Sequence, residues 1–256
     1  MFYAAKMMIV IAATAVFSLI MILAGPFDAH GKRVYRISQL WTWLIVRFSG
    51  IRLTVDGLDH LDSKRQYLFI VNHQSNFDIP VLVQALPQFQ LRWIAKKELL
   101  WIPFFGWAMW AGKHVTLDRA DALDALKSLK LAQRRIAAGI SVVIFPEGTR
   151  STDGKLLPFK RGGFLLALKT KTPIVPVTIN GTGKLLARGE WRVQPGAVNV
   201  TISAPIMEPD FRPGGLRGLS AQVQEIIAAN LQTNESLDRN QENSTRASIT
   251  ASGSIV

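Results

Sequence analysis

Apolar residues recur along this chain in three rhythms. The first is an unbroken run, Met7 to Ala24, reading MMIVIAATAVFSLIMILA, with no charge in 18 residues. As a helix it would be ~27 Å long, against ~30 Å for a hydrocarbon core, so it can just span a bilayer or lie partly inserted. The second is Val34, Ile37, Leu40, Trp41, Leu44, Ile45 and Phe48 at i, i+3, i+4, i+7 spacing, an amphipathic helix. The third begins at Ile51: short β-rich runs at 51–55, 67–71, 91–95, 141–145, 174–179 and 198–203. Helical patterns fall between them at Asp121–Ala138 and Gly162–Lys169, and a last one runs from about Leu216 to Leu231.

This alternation predicts an α/β fold: a single domain over 50–231 with a mixed, largely internal β-sheet flanked by helices. Residues 1–49 would precede it as a membrane-anchoring helix and an interfacial helix. Residues 232–256 are polar and rich in Ser, Thr and Asn, and are expected to be disordered.

The N-terminal run has two readings. As a cleaved signal peptide it is long, and the Gly25-Pro-Phe-Asp that follows is a poor cleavage site, which favours a retained anchor. Only Lys6 precedes it, whereas Lys32, Arg33 and Arg36 follow, so the positive-inside bias puts the domain on the cytoplasmic side of a membrane, in a bacterium the inner membrane. The 34–48 stretch, with two tryptophans on it, suits an interfacial helix or an ordinary core-facing one.

Composition narrows the partners. The 256 residues are 48% hydrophobic and 19% charged, with a formal charge of +12 and a pI near 10.3. Such a chain suits a polyanionic partner such as an anionic membrane, phosphorylated small molecules or nucleic acid. The absence of cysteine excludes disulfides, thiolate metal sites and a cysteine nucleophile.

Candidate chemistry lies where strands end. NHQSNFD, 72–78, follows the apolar Tyr67–Val71. A loop there lets His73 and Asp78 converge, so that the carboxylate fixes the imidazole tautomer and leaves the other nitrogen as a base. The plainer reading is that Asp78 caps the helix begun near Pro80 and His73 is a bystander. Ser75 is the nearby hydroxyl, although the substrate can supply its own. FPEGTRS, 145–151, offers backbone N–H groups, hydroxyls and the Arg150 guanidinium, the parts of a phosphate or oxyanion site, with Glu147 free to orient Arg150 or accept from a substrate hydroxyl. A β-turn with a surface ion pair would look the same. In GKHVTLDR, 112–119, Arg119 follows a short strand as a second phosphate ligand or a solvated helix-start charge. In LPFKRGG, 157–163, Lys160 and Arg161 stand at a helix start, where anions are attracted. In VPVTING, 175–181, Pro176 interrupts a strand, as tolerated at an edge or bulge.

These motifs, with AKKELLWIPFFG (95–106) and TPIVPV (172–177), occur together in an order that resembles the glycerolipid acyltransferases over roughly 50–205, and bacterial 1-acylglycerol-3-phosphate (lysophosphatidate) acyltransferases in particular. The resemblance implies His73 as general base and Asp78 as its orienting carboxylate. It implies acceptor and phosphate binding by Arg119, Glu147, Gly148, Thr149 and Arg150, a recurrent lysine at Lys96, and acyl-donor handling at Pro176. It also implies a membrane-facing acyl groove. The expected reaction moves an acyl group from acyl-CoA or acyl-acyl carrier protein to the sn-2 hydroxyl of lysophosphatidate, giving phosphatidate, with no cofactor, no metal and no nucleic acid partner. Another lysophospholipid or amino-lipid acceptor stays open. So does a non-catalytic basic membrane-lipid-binding protein, which would explain the charge and the anchor but not the His73–Asp78 arrangement.

Overall fold

The computed structural model describes residues 2–118, 122–187, 189–190, 192–208 and 214–232; Arg119 and the tail beyond 232 lie outside them. A seven-stranded sheet organises the domain: β1 (Ile51–Asp56), β2 (Leu68–Val71), β3 (Leu91–Lys96), β4 (Val115–Leu117), β5 (Ser141–Ile144), β6 (Ile174–Asn180) and β7 (Gly196–Ile202). Its order is β1-β7-β6-β2-β5-β3-β4. All pairs are parallel except β6 with β7. The sheet is therefore mixed and largely internal, as the runs of apolar residues require: β2, β5 and β6 are buried at every position.

Helices follow strands as crossovers: α3 (Asp78–Ala85) after β2, α4 (Phe105–Ala111) after β3, α5 (Ala122–Ala137) after β4 and α6 (Gly162–Thr170) after β5. A short α7 (Thr182–Leu185) follows β6, and α8 (Gly215–Asn230) closes the domain. One core cluster gathers Phe69, Val71, Val81, Leu82, Val143, Val177 and Ile179; the other, across the sheet, gathers Leu68, Ile70, Val142, Phe164, Leu219 and Val223.

The N-terminal helix α1 (Phe2–Ala24) is long and apolar enough to cross a membrane. It does not stand apart, because Ser18 and Met21 are buried where it packs on α2 (Lys32–Phe48) and α4. The Trp41 indole N–H donates to Thr14 Oγ1 at 3.2 Å, tying α1 to α2. Between the two helices, Asp28 accepts from the Lys32 and Val34 N–H groups at 3.1 and 2.9 Å and so caps α2. Helix α2 buries Val34, Tyr35, Thr42, Ile45 and Val46 against the domain. Leu40 and Phe48, expected from their spacing on one apolar face with Val34 and Ile45, are instead exposed, as is Trp43. Periodicity gives the face of a helix but not what covers it. With Met8, Ile11, Leu19 and Leu23 of α1, these side chains form an uncovered apolar surface.

Pro176 is not at an edge. It lies in β6, between β2 and β7, opposite Ile70. The ladder to β7 stops at Val177↔Ile202 and resumes only as a bridge at Ile174↔Ile206, so the far side carries one residue more. Pro176 sits at that bulge, where its C=O accepts from the Ser203 N–H at 3.0 Å and no ladder donor is lost.

Candidate active site

Because β6, β2 and β5 are adjacent and parallel, the loops that follow them emerge together at one end of the sheet. That brings residues 72–77, 145–161 and 181–186 into a single site, although they are far apart in sequence. The first two loops are laced through the backbone of His73. Its N–H donates to Glu147 Oε1 at 2.7 Å, and its C=O accepts from the Ser151 N–H at 2.8 Å.

The His73 ring meets Asp78 at Nδ1···Oδ2 2.7 Å. Asp78 is the first residue of α3 and makes no cap of its own helix, whose N-cap is Phe77; its carboxylate turns back into the loop instead. There Oδ2 also accepts from the N–H groups of Gln74 and Ser75 at 2.8 and 2.9 Å, while Oδ1 accepts from the Thr182 hydroxyl. An oxygen that takes two backbone N–H groups is an acceptor, so His73 Nδ1 must be the donor, which leaves Nε2 as the basic nitrogen. Asp78 is fully buried, and the His73 side chain keeps 17% of its surface open. Phe145 stacks on the ring at 4.0 Å between centroids, and Trp93 stacks on Phe145 at 6.1 Å. The imidazole is thus held by a carboxylate on one side and an aromatic face on the other.

Ser75 is committed elsewhere. It is fully buried, its Oγ donates to the Leu186 C=O at 2.8 Å, and it accepts from the Phe77 N–H at 3.2 Å. It braces the loop against the segment after β6.

Glu147 is buried, with one oxygen on the His73 N–H and the other on the Leu157 N–H at 2.9 Å. Burial pushes its carboxyl up, and the Leu157 and His73 N–H groups offset part of that. Both oxygens are therefore used inside the chain, pinning the 145–161 loop to the 72–77 loop. Gly148 closes the Phe145–Gly148 turn at φ +75°, with its N–H on the Phe145 C=O at 3.1 Å. Thr149 and Arg150 follow it, half-buried beside His73's loop. Lys160 and Arg161 are exposed just before α6. Lys96 is exposed at the end of β3, in register with Leu117 of β4, so the chain leading to Arg119 leaves the sheet at the same end. Among the described residues no group of three or more His, Asp and Glu is placed to hold a metal.

Thr182 was not singled out in the sequence. A threonine after a strand and a glycine has no local signature, and its link to Asp78 spans 104 residues.

An apolar groove lies beside the pair, between α1, α2, α3, β3 and α4. Trp41, Ile79, Val83, Trp93, Phe105 and Met109 line it. Trp93 joins this groove to Phe145 and hence to His73.

Comparisons with known proteins agree with this architecture. The sequence model described as "Acyltransferase" matches residues 52–180. A 1-acyl-sn-glycerol-3-phosphate acyltransferase of Limnanthes alba is 32% identical over 87% of this chain and 79% of its own length. The alpha form from Homo sapiens is 32% identical over 80% of this chain and 74% of its own. The crystal structure of the 1-acyl-sn-glycerophosphate acyltransferase from Thermotoga maritima superposes with a TM-score of 0.67 at 27% identity, covering 85% of this chain and 96% of that one. With the family model over half its length and relatives of this identity along most of it, the chain belongs to the 1-acyl-sn-glycerol-3-phosphate acyltransferase family.

Proposed function

We propose that the protein transfers a fatty acyl group from the thioester of acyl-CoA or acyl-acyl carrier protein to the sn-2 hydroxyl of lysophosphatidate, making phosphatidate for membrane phospholipid. The observation that carries this is the His73–Asp78 pair, with Nδ1 fixed as donor and Nε2 left as base, joined through Phe145 and Trp93 to an apolar groove. Nε2 takes the hydroxyl proton as the lipid oxygen attacks the thioester carbon. The tetrahedral intermediate then collapses, the C–S bond breaks, and the proton passes from imidazolium to the departing thiolate. Asp78 stabilises the imidazolium without taking the proton.

The groove suits the acyl chain, since most of its lining is apolar, with Thr14, Ser18, Ser38, Thr42 and His114 as the polar exceptions. Arg150, Thr149 and the Gly148 turn are assigned to the acceptor phosphate and the oxyanion, with Lys96 and Lys160 as further cations; Arg119, assigned to the same phosphate by the motif resemblance, lies outside the described residues. Glu147 acts by holding His73's backbone rather than by touching substrate. Ser75 is buried and bonded away from His73, which supports direct attack by the lipid hydroxyl over an acyl-serine intermediate. Helix α1 and the exposed apolar surface of α1 and α2 hold the site at a membrane, where a lysolipid already sits; Lys32, Arg33 and Arg36 favour the cytoplasmic face, in a bacterium that of the inner membrane.

The test is turnover by purified full-length protein over a panel of lysolipids, with acyl-CoA and acyl-acyl carrier protein as donors and products weighed by mass spectrometry. Phosphatidate from lysophosphatidate is expected. Lipid binding without any thiol release would reject catalysis, and faster use of another acceptor would reject lysophosphatidate.

A further inference from the structure

A second cavity, of about 560 Å³, lies between α4, α5, β4 and the turn after α1, with His114 in its wall as well as in that of the apolar groove. Its size is within the ~300–1,000 Å³ of ordinary ligand sites. Pro26, Trp110, Lys113, His114, Thr116 and Arg135 line it together with leucines, and no carboxylate does. None of the residues of the 72–77 and 145–161 loops lines it.

Three observations give it a ligand. The first is charge without a counter-charge. Among the described residues neither Arg135 nor Lys113 is within ion-pair distance of a carboxylate. Asp28 is the acid whose field reaches Lys113, and its oxygens are taken by the Val34 and Lys32 N–H groups; the Lys113 ammonium itself donates to the Ala29 C=O at 2.6 Å, which leaves its other protons and its charge to a ligand. The Arg135 Nε is buried without a hydrogen-bond partner, as is the Nε of the fully buried Arg92 behind it. Unpaired buried donors of this kind are destabilising unless something accepts from them.

The second is an extra neutral donor. His114 Nδ1 accepts from the Trp93 N–H at 3.2 Å, so its proton sits on Nε2. Burial, with Arg92 and Arg135 close by, pushes this imidazole down to about 3, so it offers an N–H and no charge at neutral pH.

The third is depth. Gly25 and Pro26, in the cavity wall, stand where the apolar span Met8–Phe27 ends. The exposed side chains around it, Phe27, Trp101, Trp107 and Trp110, are those of a membrane–water interface. In a bilayer spanned by α1, a cavity at that depth would face lipid headgroups.

We infer that this cavity binds the phosphate of an anionic membrane phospholipid, with Arg135 and Lys113 as charge partners and the His114 Nε2–H as a neutral donor. The glycerol backbone then lies against Trp110 and Pro26 and the acyl chains follow α1 into the bilayer. The site would orient the domain on an anionic surface. It depends on membrane association and not on any step of acyl transfer.

The test uses full-length protein in neutral detergent. Thermal unfolding is followed against short-chain phosphatidylglycerol, short-chain phosphatidylcholine and inorganic phosphate. Phosphatidylglycerol should raise the midpoint saturably. At ~1 kcal/mol per cation near an anionic surface, each lost charge should weaken binding about 5-fold, and Arg135→Gln with Lys113→Gln about 25-fold. If the double variant unfolds by itself, Lys113→Gln alone should show the 5-fold loss and Arg135→Lys should bind nearly as wild type. An unchanged apparent Kd in the charge-removed variants would overturn the site, and an equal response to phosphatidylcholine or inorganic phosphate would overturn the lipid assignment. No readout is turnover, so saturable binding by an inactive protein would fault the acyltransferase reading alone.

Discussion

Thr182→Val removes one hydrogen bond from Asp78 and changes little else. The side chain is fully buried, and valine nearly matches it in shape, so packing around α7 is kept. Asp78 Oδ2 retains its three donors, but Oδ1 loses the hydroxyl that sets the carboxylate's rotation. A hydrogen bond to a charged group contributes ~1.5–3 kcal/mol. If about half of that is felt when His73 becomes charged in the transition state, the barrier rises by ~1 kcal/mol and kcat falls ~5–10-fold. Both KM values should hold, since Thr182 touches neither substrate. Thr182→Ser, which restores a hydroxyl, should recover most of the loss. The assay is thiol release from acyl-CoA in the presence of lysophosphatidate, with the melting temperature recorded alongside. A valine variant with wild-type kcat, or a serine variant no better than valine, would refute the positioning role.

Other perturbations separate the parts. Glu147→Gln leaves one of the two N–H groups, of His73 or Leu157, facing an amide NH2, which should cost ~1–3 kcal/mol of stability and slow turnover together; lost kcat with an unchanged melting temperature would argue for a direct catalytic role. His114 makes stability depend on pH. Its folded-state value, about 3, is below the unfolded 6.5, so the unfolded chain takes up the proton first as pH falls. The contribution is intact above pH ~6.5 and declines toward 3, by at most ~2 kcal/mol at pH 5 because the ring borders open cavities. Urea unfolding at pH 7 and 5 should show a shallower decline in His114→Gln, and an identical one would discount the residue.

Much of this was legible in the sequence because it is local. Apolar runs of strand length, helical spacing between them and polar loops at strand ends set the fold class and placed His73, Asp78 and the FPEGTRS loop. What was illegible depends on the order of strands in the sheet. Thr182 reaches Asp78 only because β6 lies against β2. Pro176 could be read as an edge or a bulge residue, and only the residues after Ile202, which form the bulge, decide between them. Arg92 is charged yet fully buried, held by the His30 and Gly31 carbonyls at 3.2 and 3.0 Å, and no pattern within β3 announces that. The uncovered faces of α1 and α2 are a further case, since hydrophobic spacing is the same whether protein or lipid lies opposite.

The central claim is that His73 removes the proton from the lipid hydroxyl itself, with no acyl-enzyme. Its most direct test compares full-length wild type and His73→Ala by thiol release with acyl-CoA and lysophosphatidate, and weighs the wild-type protein after exposure to acyl-CoA alone. General-base catalysis contributes ~10²–10⁴-fold, so the variant should lose at least ~10²-fold with its melting temperature kept, and the wild type should gain no acyl mass. A variant that retains more than half the rate, or an acyl adduct on Ser75 that lysophosphatidate discharges, would contradict it.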